Sequence, residues 1–170
     1  MPVVESRAPL IAVCGASAAT TEEMAVAEEV GQLLAKRGAV VVCGGLFGVM
    51  EGVCRGVSAA GGMSIGLLPG EDPGAANAFV SLALATGLGE LRNGLIARSC
   101  QGMIVIGGGY GTLSEIALML RLGRPICSVG SWKLVPPPGD AADVPIHRAD
   151  DAVAAVAWLM KRVGAEGSTA

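Results

Sequence analysis

Short, nearly uninterrupted apolar runs recur along the chain and alternate with segments in which apolar residues have helical spacing. Runs of this kind are typical of strands that are buried on both faces of a parallel sheet. The predicted strands are 10–14, 39–43, 64–68, 103–106 and 125–129, with a further short strand over 79–83. Strands that alternate with helices predict an α/β fold with a Rossmann-like, doubly wound, mostly parallel sheet.

Capping residues and stop signals delimit the predicted helices. Thr20 and Glu23 have capping-box spacing, and the helix that follows ends near Gly38. Further helices are predicted from near Val49 to Gly61, over 90–99 and 114–122, and from Asp150 or Asp151 to Val163. Residues 132–139 and the acidic run 140–143 are expected to be surface loops. The prediction is a single domain over 8–163 with flexible termini, 1–7 and 164–170.

Composition excludes several classes of function. The net charge is −3, and no basic cluster is interleaved with aromatic residues, so nucleic-acid binding is not expected. No signal peptide and no run of about 18 apolar residues is recognised, which predicts no membrane association. The five cysteines form no CxxC pair and His147 is the one histidine, so no metal site and no Ser-His-Asp triad are expected. Buried, reduced thiols indicate a cytoplasmic protein.

Three glycine-rich loops follow predicted strands, and these loops predict the site. They span 15–21, 44–48 and 107–111. In a doubly wound sheet, ligands bind beyond the carboxyl ends of the strands, where these loops lie. Neither a GxxxxGK[ST] phosphate loop nor a GxGxxG dinucleotide fingerprint is present. The second strand also ends in glycines instead of a ribose-binding acid, which disfavours NAD.

The stretch GGGYGTLSE, residues 107–115, allows two interpretations. It is either a tight turn before a helix or a phosphate cradle made by Gly108, Gly109, Gly111 and the Thr112 hydroxyl, helped by about half a positive charge at the helix N-terminus. Glu115 is likewise either a capping-box partner of Thr112 or a site residue.

Arg92 opens the helix before the 103–106 strand, so it is expected at the same sheet edge as Glu115. A guanidinium and a carboxylate beside an anion cradle suit phosphate clamping or stabilisation of a positive ribosyl centre. The predicted ligand-binding residues are Gly15, Ser17, Gly44, Gly45, Arg92, Asn93, Gly108, Gly109, Tyr110, Gly111, Thr112 and Glu115.

The motifs GGxxGxM (44–50), GGxxIGxxP (61–69) and GGYGTxxE (108–115) resemble those of the LOG-like superfamily, once labelled lysine decarboxylases, over about residues 8–163. Its LOG enzymes are phosphoribohydrolases that release a free base and ribose 5-phosphate from nucleoside 5′-monophosphates. This resemblance implies catalytic roles for Arg92 and Glu115 if the chain is an enzyme. Gly107 stands where those enzymes have proline, and 89–93 lacks their His-Glu-Arg-Lys stretch. The sequence is more similar to a sister group that includes molybdenum cofactor carrier proteins.

The resemblance therefore implies a cytoplasmic carrier or sensor for a phosphorylated pterin or nucleotide. Molybdenum cofactor or a nucleotide is the expected ligand, and no other cofactor or metal is required. The alternative is a LOG-type phosphoribohydrolase. Apolar faces on the 90–99 and 114–122 helices predict a homo-oligomer, a dimer or higher.

Overall fold

In the computed structural model, residues 8–139 and 143–166 are described, and they contain one seven-stranded parallel sheet. Its strands are β1 (Leu10–Gly15), β2 (Val40–Cys43), β3 (Ser64–Leu68), β4 (Leu82–Ala85), β5 (Gly102–Ile106), β6 (Ile126–Val129) and β7 (Ile146–Arg148). The spatial order is β4-β3-β2-β1-β5-β6-β7. The chain moves outward from β1 to β4, then returns to β5 on the other side of β1, so the switch point lies between β1 and β5. The predicted Rossmann-like α/β fold is confirmed.

Helices cover both faces of this sheet. They are α1 (Thr21–Lys36), α2 (Val49–Ala59), α3 (Asn93–Ser99), α4 (Tyr110–Arg121) and α5 (Ala152–Glu166), with 3-10 turns at Pro73–Ala75 and Gly89–Arg92. Helices α1, α2 and α5 pack on the face to which Ile11 and Val13 of β1 point. Helices α3 and α4 pack on the opposite face, beneath Ala12 and Cys14. Alternate residues of a strand that is apolar throughout thus serve two separate cores.

The end of β1 sets the positions of the neighbouring loops. A Cβ on Gly15 would lie 2.7 Å from Cγ1 of Val49, so only glycine lets the start of α2 pack there. The Val49 N–H donates to the Ala16 carbonyl at 2.9 Å, and the Ala16 N–H donates to the Ile106 carbonyl at 3.3 Å. These contacts bring the loops after β1, β2 and β5 to one edge of the sheet.

Several element boundaries differ from the predictions. The strand predicted over 79–83 is β4, shifted to 82–85, because the Asn77 side chain holds the preceding turn by donating to the Gly45 and Leu46 carbonyls and accepting from the Phe79 N–H. The first residues of the 90–99 helix form a 3-10 turn. Strand β7 was not predicted, since it has three residues and no apolar run.

The ends of the domain need one further correction. Helix α5 continues to Glu166, past the boundary predicted at 163. The predicted flexible residues 1–7 and 167–170, and residues 140–142 of the predicted acidic loop, lie outside the described residues. Among the described helices, none has the combination of length and apolar character needed to cross a bilayer.

Candidate functional site

A cleft of about 530 Å³ opens at the switch point of the sheet. Its walls come from the ends of β1 and β2, the 3-10 turn at 89–92 and the first turns of α4. The predicted residues that line it are Gly15, Ser17, Gly44, Arg92, Asn93, Gly109, Tyr110, Gly111, Thr112 and Glu115. Residues from three separate glycine-loop regions thus meet in one cavity, which we call the switch-point cleft.

Gly45 and Gly108, two other predicted residues, do not line this cleft. Gly45 has φ 74°, and a Cβ there would lie 3.0 Å from the Gly66 Cα, so this glycine packs against β3. Gly108 has φ 116°, and its Cβ would lie 2.6 Å from Cγ2 of Thr112, under the first turn of α4. Both positions need glycine for backbone shape and close packing.

The stretch GGGYG combines a turn with open space. Gly107 and Gly108 have positive φ values of 56° and 116°, which make the turn. Gly109 and Gly111 lack positive φ, and a Cβ on either would meet no heavy atom within 4 Å. Neither backbone conformation nor packing requires glycine at 109 or 111. Their small size instead leaves room at the start of α4.

Helix α4 begins earlier than predicted, at Tyr110, with Gly109 as its N-cap residue and no side chain capping it. The first amides of a helix have no intrahelical partner and carry partial positive charge, and those of α4 lie at the cleft. Of the two interpretations of Glu115, the capping box with Thr112 does not form, because both residues are already inside the helix. The GGGY stretch leads directly into helical geometry, which moves Glu115 to the second turn.

Thr112 ties α4 to the end of β1. Its Oγ1 donates to the Gly15 carbonyl at 3.1 Å. Its single proton is used in this bond, so donation to a ligand, which stays a prediction, would require this bond to be exchanged. Thr112 lines the cleft and fixes the position of its helix.

Arg92 and Glu115 form a buried ion pair on the cleft wall. Nη1 of Arg92 lies 3.5 Å from Oε1 of Glu115, and the side chains are 11% and 9% exposed. Gly44 makes room for the guanidinium, since a Cβ there would lie 2.6 Å from Nη2. Among the described residues, Nε of Arg92 has no hydrogen-bond partner. A buried donor without a partner is costly, so this arginine is suited to receive an anion.

Asn93, which was predicted as a ligand contact, lines the cleft and also connects α3 to α4 through a hydrogen bond. Its Nδ2 donates to Oγ of Ser114 at 2.9 Å, and Ser114 in turn donates to the Gly111 carbonyl at 2.7 Å. Asn93 thus positions the first turn of α4 relative to Arg92, its neighbour in sequence.

Cys14 is a cleft residue that sequence reasoning treated only as a buried thiol. It is 2% exposed and lies on the β1 face that points toward α4. Burial raises the pKa of the Cys14 thiol well above 9.0, with the negative charge of Glu115 adding to the effect. The thiol therefore stays protonated and donates a hydrogen bond to Glu115. The sequence signal that could have indicated a cleft position for Cys14 is its place directly before Gly15, where the first glycine-rich loop begins.

The mouth of the cleft has aromatic and apolar groups. Tyr110 is 84% exposed, and its ring centroid is 6.0 Å from that of Trp132. Trp132 is held by a hydrogen bond from Nε1 to the Gly109 carbonyl at 3.3 Å. Leu46, Met50 and Pro69 form an apolar wall nearby. Sequence reasoning missed this wall, because its members come from the loop after β2, the first turn of α2 and the loop after β3. Within residues 8–139 and 143–166, no three His, Cys, Asp or Glu side chains gather as a metal site needs.

These features define a Rossmann-like domain with a cleft at its switch point that combines a buried ion pair and an apolar wall. A model of the SLOG cluster4 family matches residues 8–155, and the chain belongs to that family. A protein of Archaeoglobus fulgidus is 40% identical over 119 residues, 70% of this chain and 78% of that protein. The predicted resemblance to the LOG-like superfamily is thereby confirmed.

Two solved structures show the nearer group within it. The molybdenum cofactor binding protein from Rippkaea orientalis has a TM-score of 0.85 and 31% identity, over 94% of this chain and 99% of that one. The molybdenum cofactor carrier protein from Chlamydomonas reinhardtii has a TM-score of 0.78 and 30% identity over the same shares. The similarity extends over nearly the whole of each chain.

The ionisation of Glu115 has a measurable consequence for stability. Burial raises the pKa of its carboxyl above the ordinary 4.5, although the Cys14 hydrogen bond and Arg92 lower it. The folded protein therefore holds this proton more tightly than the unfolded chain does. That contribution to the free energy of unfolding is lost as the pH rises from about 4.5 through the folded pKa.

In Glu115→Gln, the free energy of unfolding measured with urea should not show this decrease between about pH 4 and pH 8. Glu29→Gln, an exposed change on α1, should follow the wild type, and equal pH dependence of all three would contradict the assignment.

The two roles of the glycine stretch can be separated by stability. Gly108→Ala should lower the free energy of unfolding by about 1–3 kcal/mol, because alanine is strained at this positive φ and meets Thr112. Gly111→Ala should leave it unchanged or raise it by up to about 1 kcal/mol, because alanine is the better helix former. Urea denaturation checks both, and a destabilised Gly111→Ala would mean that this glycine is structural.

Proposed function

We propose that the protein is a cytoplasmic binding protein, a carrier or sensor, for a phosphorylated pterin such as molybdenum cofactor. The observation that carries the proposal is the buried Arg92 guanidinium, whose Nε lacks a partner in the described residues, inside a cleft beside the α4 N-terminus. The similarity to a molybdenum cofactor binding protein and to a molybdenum cofactor carrier protein supports the pterin over other phosphorylated ligands.

The cleft divides into two parts that match such a ligand. The phosphate would bind at the α4 amides and Arg92, where Gly44, Gly109 and Gly111 carry no side chain. The ring system would lie against the apolar wall of Leu46, Met50 and Pro69, with Tyr110 at the mouth. The molybdenum cofactor is cargo in this proposal, held through its organic part.

The runner-up function is a nucleoside 5′-monophosphate phosphoribohydrolase. The observation that favours it is the carboxylate of Glu115 within the same cleft as Arg92. In that reaction Glu115 would stabilise the positive ribosyl centre or orient water, and Arg92 would position the phosphate. Glu115 is already engaged by Arg92 and by the Cys14 thiol, which favours a structural counter-charge over a free catalytic carboxylate.

Arg92→Gln tests the anion site. We expect it to weaken binding of purified molybdenum cofactor, measured by fluorescence titration, by roughly 10- to 100-fold, because a charge-assisted hydrogen bond to the ligand is lost. Arg98→Gln, on the exposed side of α3, is the matched control and should bind like the wild type. Gly111→Ala is a second variant that fills the cleft without removing the ion pair. Unchanged affinity in both cleft variants would refute the site.

The same purified protein distinguishes the two functions. Incubation with AMP and with isopentenyladenosine monophosphate should give no free base by chromatography if the chain is a carrier. Free base that disappears in Glu115→Gln, with the fold intact by circular dichroism, would support the hydrolase instead. If the protein shows no turnover and does not bind molybdenum cofactor, both functions are contradicted.

We also propose that the protein is a homo-oligomer, a dimer or higher, formed through the sheet face beside α3. Leu82 and Leu84 of β4 are each 44% exposed, in register with Ile65 and Leu67, which belong to the α3–α4 core. Leu91, in the 3-10 turn that follows β4 along the chain, is 80% exposed as well. An apolar area of this kind on a sheet edge is a typical subunit contact.

Light scattering should give a mass of at least two chains for the wild type. The double change Leu82→Glu with Leu84→Glu should lower the measured mass to that of one chain, because the contact would have to bury both new charges. Val153→Glu, at a similarly exposed apolar position on α5 of the other face, should retain the wild-type mass. A monomeric wild type, or dissociation by Val153→Glu alone, would contradict this surface.

A further inference from the structure

Two buried thiols lie side by side behind the switch-point cleft. Cys43 ends β2 and Cys54 lies in α2, and their Sγ atoms are 3.6 Å apart. Both residues have no solvent exposure. In the part of the chain that the structure describes, no other two cysteines are joined by a hydrogen bond. Neither thiol has a role in the proposed function.

We propose that Cys43 and Cys54 are a redox-active pair, which hydrogen peroxide converts into an intramolecular disulfide that links β2 to α2. A disulfide needs an S–S distance of about 2.05 Å, so the sulfur atoms must approach by roughly 1.5 Å. The two side chains already point at each other between a strand and the helix packed on it. The inference rests on this pair alone and does not depend on what the cleft binds.

The environment of the pair favours Cys54 as the attacking sulfur. The hydrogen bond between the two sulfur atoms, together with Ser64 and Asn77, lowers the pKa of Cys54 against the opposing effect of burial. The pKa of Cys43 is raised, first by the same hydrogen bond and then by burial. The two thiols are therefore not equivalent, and we assign the attacking role to Cys54 and the resolving role to Cys43.

The chemistry balances with hydrogen peroxide as the oxidant. The Cys54 thiolate attacks one peroxide oxygen; an S–O bond forms, the O–O bond breaks, and the leaving hydroxide takes a proton to become water. The Cys43 sulfur then attacks the Cys54 sulfur. The S–S bond forms, the S–O bond breaks, and the hydroxyl leaves with the Cys43 proton as a second water. Two electrons pass from the two thiols to the peroxide.

The cross-link would connect both ends of the loop over residues 44–48. Sγ of Cys43 accepts a hydrogen bond from the Gly45 N–H at 3.4 Å, and Gly44 faces the Arg92 guanidinium. A disulfide between the strand before this loop and the helix after it restricts the opening of the loop. Amide hydrogen exchange over residues 44–49 should therefore slow in the oxidised protein.

The test treats the full chain with hydrogen peroxide, then denatures it and labels free thiols. We expect two fewer labelled thiols than the five of the reduced protein, a monomer mass lower by two hydrogens, and full reversal by dithiothreitol. Trypsin cleaves after Arg37 and Arg55, and a glutamate-specific protease cleaves after Glu51. After both cleavages, fragments 38–51 and 52–55 should remain joined only in the oxidised protein.

Two variants serve as matched controls. Cys54→Ala should abolish the cross-link, whereas Cys127→Ala, an equally buried cysteine on β6, should retain it. The fragment map of the wild type decides the question even if Cys54→Ala does not fold. Unchanged thiols, a link through any other cysteine, or mass gains from sulfinic or sulfonic acid without the link would overturn the proposal.

Discussion

Gly15 and Ala16 are the point on which the rest of the structure depends. No side chain fits at Gly15, because the Ile106 carbonyl and Val49 lie against its Cα. The carbonyl of Gly15 accepts from Thr112, the carbonyl of Ala16 accepts from Val49, and the Ala16 amide donates to Ile106. Two backbone positions thus join β1 to β5, α2 and α4. The switch-point cleft exists because these four elements meet where the central strand ends.

The charges of the cleft follow from this close packing. Arg92 is buried because Gly44 has no side chain, and its charge is balanced by Glu115 from α4. Removing both groups from water is costly, and one ion pair at 3.5 Å repays that cost only in part. The guanidinium therefore retains a capacity for a second negative partner. An arrangement that is poor for stability is in this way well suited to ligand binding.

The parallel sheet and the edge at which the glycine loops lie could be predicted, because buried parallel strands have few polar residues and glycine loops mark their carboxyl ends. The start of α4 could not, because Tyr110 and Gly111 are poor helix formers by propensity and tertiary contacts decide their conformation. The same shift explains why Thr112 and Glu115 had a capping-box spacing without its geometry. Cys14 was overlooked since a thiol in an apolar run is usually only core, and its contact with Glu115 spans about 100 residues of sequence.

The 3-10 turn over 89–92 places two neighbouring side chains in opposite environments. Leu91 is 80% exposed on the outer surface, while Arg92 is 9% exposed and lines the cleft. Because the two residues are adjacent, any shift of the backbone at Leu91 also shifts the residue that carries the guanidinium into the cleft. In the oligomer that we propose, a subunit packed on Leu91 would therefore lie one residue away from the buried ion pair.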